Sequence, residues 1–266
     1  MRSGRCVRHA AGFSIIELIV ALAISATIAA GLMLWLQRPL EALQGSYARA
    51  AALDQAQRVV AQLQRELPDA LPNSVRIGCG GGCLEFIPVV AYGDYRAGPP
   101  GDVLDFAAPD DRFDVLKSLA APPAAGMQVV INNQNALPGG SLSAYSASAN
   151  NNRAAVAAGS SAALIRIATK QFPAPSPNQR FYIVSTPVSY LCAPQPSGGT
   201  IRRYANYAIQ SAQPANTALG DRLVGGVTGC TFALEQPDLV TLRVAAIGDG
   251  TEPVQFLAQV RMDYVP

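Results

Sequence analysis

Histidine is almost missing from this chain: the single one, His9, sits in the first ten residues. Nothing beyond it can serve as an imidazole base, relay or metal ligand. Ser-His-Asp and Cys-His nucleophile arrangements, and histidine-ligated zinc, are excluded downstream. No Gly-x-x-x-x-Gly-Lys run occurs, so the usual phosphate cradle is absent too. Two further absences concern charge. No acidic residue precedes Glu17, and no charge of either sign occurs in residues 18–36.

That uncharged stretch is the first positive feature. As a helix it would rise roughly 28 Å at about 1.5 Å per residue, the thickness of one bilayer core. Arg2, Arg5, Arg8 and His9 lie upstream, and only Arg38 closes the far side. The positive-inside bias therefore keeps the first residues cytoplasmic and exports the remainder. Trp35 and Arg38 fall where an amphipathic ring and a snorkelling guanidinium meet the opposite interface. A secretory signal has a shorter apolar core, of about 7 to 15 residues. An uncleaved anchor explains the run but not Glu17, since a carboxylate in such a segment costs about 2.5 to 3.5 kcal/mol on insertion scales.

The run Gly12-Phe13-Ser14-Ile15-Ile16-Glu17-Leu18-Ile19-Val20-Ala21-Leu22-Ala23-Ile24 resembles the class III leader of type IV pilins and type II secretion pseudopilins. The resemblance implies that a prepilin peptidase cuts after Gly12 and that the new terminus, Phe13, is N-methylated. It also gives Glu17 a partner. Before cleavage the Phe13 nitrogen is an uncharged amide; afterwards it is an amine with a pKa of about 7.7 to 8, mostly cationic in water. Phe13 and Glu17 are four apart and share one helix face, so they can pair within a chain, or Glu17 can meet a neighbour's amine in a filament. The resemblance favours the neighbour.

The segments expected are a leader over residues 1–12, a transmembrane helix over 13–38, its amphipathic continuation over 39–72, and a β-rich globular domain over 73–266. Losing the leader removes Arg2, Arg5 and Arg8, so the formal charge falls from +2 to −1. A near-neutral chain is a poor nonspecific binder of nucleic acid. Cys6 leaves with the leader, and Cys79, Cys83, Cys192 and Cys230 remain. An even number in an oxidising compartment implies two disulfides. Of three possible pairings, Cys79 with Cys83 and Cys192 with Cys230 is preferred, because Gly80-Gly81-Gly82 can close a tight loop. The Cys-Gly-Gly-Gly-Cys run lacks the accompanying donors that a metal site needs.

Leu40, Leu43, Tyr47, Ala50, Leu53, Ala56, Val60, Leu63 and Leu67 recur at threes and fours, with Glu41, Gln44, Arg58, Gln62 and Arg65 opposite. This predicts one amphipathic helix against a sheet, with Pro39 kinking or opening its junction. Pro68 and Pro72 bracket its end. Beyond it the period shortens, predicting strands over 75–77, 84–90, 103–106, 128–131, 164–169, 180–184, 188–192, 201–209, 230–234, 239–246 and 254–264. The fold class is α+β, a long N-terminal helix packed on a mainly antiparallel sheet. Residues 132–161, rich in Asn, Ser, Ala and Gly, read as a mobile surface loop, and 171–178 as a proline-stiffened connector.

Carboxylates cluster at Asp102, Asp105, Asp110, Asp111 and Asp114, and Gly248-Asp249-Gly250-Thr251-Glu252 forms an acidic turn. Calcium suits such oxygens, although the spacing matches no EF-hand loop; no other cofactor is expected. A glycosidase pair lacks anything to position it. Tyr182, Tyr190, Tyr204 and Tyr207, near Arg202 and Arg203, could suggest a sugar or nucleic-acid surface, but alternating strand residues explain them more simply.

Residues 70–76 (Ala-Leu-Pro-Asn-Ser-Val-Arg) and 260–266 (Val-Arg-Met-Asp-Tyr-Val-Pro) resemble minor pilins of the mannose-sensitive haemagglutinin (MSHA) type. Overall length and strand supply also resemble the J-type minor pseudopilin of type II secretion. These resemblances imply a non-enzymatic subunit that initiates pilus assembly or sits at the tip, with a tip adhesin binding a surface or glycan as the alternative. The implied partners are other major and minor pilins, prepilin peptidase, an inner-membrane platform protein and an assembly ATPase. The implied location is a single-pass inner-membrane protein with a periplasmic C-terminal domain, extracellular once assembled. Because outermost capping subunits of related systems often lack the acid, Glu17 implies docking beneath or beside another pilin.

Overall fold

The computed structural model describes residues 14–248 and 253–262, in two compact units, Met1–Ala48 and Arg49–Pro266. Helix α1, Ile15–Glu66, opens the described chain, and its helical backbone continues through Pro39. In the first unit, Ser14 starts it: its carbonyl accepts the N–H groups of Glu17 and Leu18 at 3.1 and 3.2 Å. Segment Ile15–Met33 has a mean hydropathy of 2.3 and none of it is buried. Near mid-segment, Thr27 Oγ1 donates to the Ile24 carbonyl at 2.8 Å, which satisfies that donor on an apolar surface.

In the second unit α1 becomes a core element, burying Ala52, Val59, Val60 and Leu63. It stops at Glu66, earlier than the expected residue 72. Pro68 cannot donate a helical hydrogen bond, so a 3₁₀ turn Leu67–Asp69 follows and Ala70 leaves in an extended conformation. The strands are β1 (Arg76–Gly78), β2 (Cys83–Phe86), β3 (Val89–Asp94), β4 (Asp110–Asp114), β5 (Gln128–Ile131), β6 (Arg153–Ala155), β7 (Leu164–Lys170), β8 (Arg180–Val184), β9 (Val188–Ala193), β10 (Gly199–Tyr204), β11 (Asp221–Gln236), β12 (Leu239–Ala246) and β13 (Val254–Arg261). The class is α+β, as expected.

One sheet runs β1-β2-β9-β10-β11-β12-β13, a second β3-β8-β5-β6, and β4 pairs with β7; all these pairings are antiparallel. Leu63 and Leu67 share a core with Phe86, Tyr190, Ile201, Phe232 and Leu242 of the large sheet. A separate core joins β4 and β7 to the smaller sheet, where Phe113 meets Phe181 edge-on at 5.1 Å, the arrangement that ring quadrupoles favour.

Several expected strands change shape for identifiable reasons. Residues 84–90 form two strands in different sheets, because Pro88 interrupts the ladder and the chain steps across. Residues 103–106 are a loop, held where the Leu104 N–H donates to the Arg96 carbonyl at 3.0 Å. The strand expected over 201–209 ends at Tyr204, just before Asn206 turns with φ 63°. Strand β13 ends at Arg261; residues 263–266 lie outside the described residues.

The expectation of a free loop over 132–161 is overturned. Tyr145 is fully buried and its hydroxyl donates to the Ser74 carbonyl at 2.9 Å. Asn133 Nδ2 donates to the Pro72 carbonyl at 2.7 Å, and its Oδ1 accepts the Ala144 N–H at 2.8 Å. Asn and Ser side chains here replace ladder hydrogen bonds with local ones, so they and the Tyr145 ring anchor the segment, and β6 within it joins the small sheet.

Candidate membrane anchor and assembly motif

Glu17 lies in the first turn of α1. A carboxylate there faces the positive end of the helix dipole, worth about 0.3–1 kcal/mol. Its neighbours Ile15, Ile16, Leu18, Ile19 and Val20 are all more than half exposed, so the acid stands in an apolar, uncovered surface. Among the described residues it forms no ion pair. Gly12 and Phe13, the expected cleavage and methylation positions, lie outside the described residues. The first unit therefore supplies an apolar helix of membrane-crossing length and a single acid near its start.

In the second unit, Cys79 is bonded to Cys83 with Cα atoms 5.3 Å apart, and Cys192 to Cys230 with Cα atoms 6.5 Å apart. The short loop needs left-handed backbone at Cys79, Gly80 and Gly81 (φ 53°, 63° and 94°), and glycine supplies two of the three without steric cost. Cys192 lies on β9 and Cys230 on β11, so the bond joins two strands that do not pair with each other.

Two polar clusters went unnoticed in the sequence. At the end of α1, Glu66 accepts hydrogen bonds from the Tyr190 hydroxyl at 2.9 Å and from Arg203 Nε at 2.9 and 3.1 Å, tying the helix to β9 and β10. Burial, reinforced by Glu66, raises the Tyr190 phenol well above its ordinary range. Beside β1, the wholly buried Glu85 accepts from Arg76 Nε at 2.9 Å. The Arg76 guanidinium lies 3.7 Å from the centre of the Tyr145 ring and donates to the Ser211 carbonyl at 2.7 Å. Burial raises the Glu85 carboxyl above its ordinary range although Arg76 pulls it down. The one legible signal was an acid within the apolar strand Leu84-Glu85-Phe86.

The carboxylate cluster is spread along β4 and its approach. Asp102 pairs with Arg112 at 2.8 Å, and Asp114 with Arg96 at 3.5 Å while also accepting the Asp102 N–H at 3.0 Å. Asp110 caps the N–H groups of Asp105 and Asp111 at 2.9 and 2.8 Å. Among the described residues no three His, Cys, Asp or Glu side chains converge as a metal site would require. Residues 249–252 of the acidic turn lie outside the described residues. The four tyrosines do not form one surface. Tyr190 is fully buried, Tyr204 and Tyr207 stack on each other at 4.6 Å, and Tyr182 belongs to the other sheet, 6.5 Å from Tyr92.

Residues 7–33 match the model of the prokaryotic N-terminal methylation motif. Comparisons with curated proteins and with solved structures each return no match. The matched stretch covers Glu17 and the whole exposed apolar helix Ile15–Met33.

Proposed function

We propose that this chain, whose methylation motif fits the type IV pilin and pseudopilin class, is a minor pilin of the MSHA type, a non-enzymatic subunit that initiates pilus assembly or sits near the tip. The observation that carries the reading is Glu17, an acid at the start of an uncovered apolar helix within the matched motif. Prepilin peptidase cuts after Gly12, the amine of Phe13 is methylated, and the cationic terminus meets Glu17 of a neighbouring subunit in the bilayer. Charge pairing there offsets the cost of the buried acid. The assembly platform and its ATPase then extract the helix together with its neighbours, other major and minor pilins. Cys79–Cys83 and Cys192–Cys230 secure the exported domain.

The full chain, made in its native host, provides the test. Gly12→Val keeps the leader, so the protein migrates as the longer precursor and is absent from sheared pili. Glu17→Ala is cleaved normally but falls in sheared pili by more than about tenfold, because the 2.5–3.5 kcal/mol scale of an unpaired intramembrane charge exceeds the 1.4 kcal/mol of a factor of ten. Normal incorporation of Glu17→Ala refutes the pairing role. Loss of protein secretion with intact pili assigns the chain instead to a type II secretion system, as a J-type minor pseudopilin.

A further inference from the structure

Strand β3 ends the smaller sheet: one side pairs with β8 and the other has no strand along it. That outer side is bracketed. At one end Ala70 bridges Pro88, and at the other Val115 bridges Tyr95, both antiparallel. Just inside the second bracket the Leu116 N–H donates to the Asp94 carbonyl at 2.9 Å. Residues 89–93 between the brackets leave roughly 17 Å of open edge at about 3.4 Å per residue.

Strand alternation says which groups point there. The Tyr95 N–H donates to Gln179, on the β8 side, whereas the Asp94 carbonyl and the Arg96 N–H face residues 114–116. Tyr92, two residues before Asp94, therefore turns its N–H and C=O to the open side. Among the described residues no main-chain partner meets them there. The edge opens into a groove of about 440 Å³ walled by Pro68, Pro72, Lys117 and Leu119 and floored by Tyr92 and Tyr182. Val90 and Tyr92 are 55% and 44% exposed, and Arg180 covers the Tyr92 ring at 5.5 Å. Exposed, paired-register main chain of this kind is normally blunted or covered in a folded protein.

We propose that this slot takes an extended peptide segment of a partner protein, which adds as a short strand antiparallel to β3. Backbone groups at strand spacing match another backbone, and both brackets already run antiparallel, so the insert continues their direction. The ends of the slot set its polarity. Lys117 at the Asp94 end and Asp69 at the Val89 end are exposed and form no ion pair among the described residues. An antiparallel insert begins near Lys117 and finishes near Asp69, so the partner segment carries an acid at its start and a base at its end, with small or β-branched residues between. The geometry asks nothing of the N-terminal motif, so the slot functions whether or not the chain enters a pilus.

The experiment places photoreactive p-benzoylphenylalanine at position 90 or 92 of the full chain in its native host and maps the adducts by mass spectrometry. Both positions hit one segment of one partner, and the residue hit from 92 precedes that hit from 90 by one or two, the irregular register between Val89 and Ala91 setting the spacing. Tyr92→Pro deletes the outward N–H and lowers the adduct from position 90 by more than about tenfold, whereas Tyr92→Ala, which loses the same ring but keeps the N–H, largely retains it. Should the proline variant fail to fold, the register of the two adducts decides alone. A glycan adduct, hits on a helix, scattered or reversed positions, no adduct, or a hit on a second copy of this chain overturns the proposal, as does loss with alanine but not with proline.

Discussion

Glu85 shows how one buried acid shapes the pH response of the second unit. It has no exposed surface, and burial outweighs Arg76 in setting its carboxyl above the ordinary 4.5. An acid with a raised pKa binds its proton more tightly in the folded state than in the unfolded chain. Folding therefore loses stability as pH rises from 4.5 through the folded value, and this contribution is fully present only at lower pH. Glu85→Gln removes that titration, so the fall in unfolding free energy between pH 4.5 and neutrality becomes shallower. Urea unfolding of the full chain in detergent at several pH values measures this. An unchanged or steeper slope assigns the dependence elsewhere.

Among the elements, the two disulfides differ in what they close. Cys192 and Cys230 are 38 residues apart in sequence, Cys79 and Cys83 only 4. Chain-entropy scaling makes the long bridge worth about 4 kcal/mol and the short one about 2. Replacing Cys192 and Cys230 with serine therefore costs about twice as much unfolding free energy as replacing Cys79 and Cys83; equal losses, or the reverse order, defeat that ranking. Elements with strong local signals were legible: residues 128–131, 180–184 and 239–246 fall where runs of β-branched and aromatic residues placed them. Strand β4, Asp-Asp-Arg-Phe-Asp, was not, because it buries a single large side chain, Phe113, and the partners of Arg112 and Asp114, Asp102 and Arg96, lie ahead of the strand in sequence. The first half of β11 was hidden by Gly225 and Gly226, which suit an irregular register against β10. Tyr145 was hidden because a residue held by Ser74, sequence-distant and buried, carries no periodic mark.

For the whole molecule, the motif at residues 7–33 and the uncovered helix Ile15–Met33 make membrane residence the property most exposed to a single change. Ile24, near the middle of that helix, is 53% exposed. Ile24→Arg adds about 2.5–3.5 kcal/mol to the cost of insertion. The variant shifts from the carbonate-resistant membrane pellet to the soluble fraction, and full retention in the pellet argues against a spanning segment. Glu17 was legible at the outset because an acid in an uncharged run is conspicuous. The slot beside β3 was not, because an open edge exists only once neighbouring strands have been assigned.

The bond between Cys192 and Cys230 also governs how the second unit behaves under load. A pull applied through the chain bypasses the residues between the two sulfurs, whose cysteines are 38 positions apart. At about 3.4 Å each, roughly 130 Å of contour cannot be paid out while the bond holds. Strand β10 and the first part of β11 thus lie inside a mechanical bypass. Tension can strip the flanking strands, but the centre of the large sheet lengthens only after reduction.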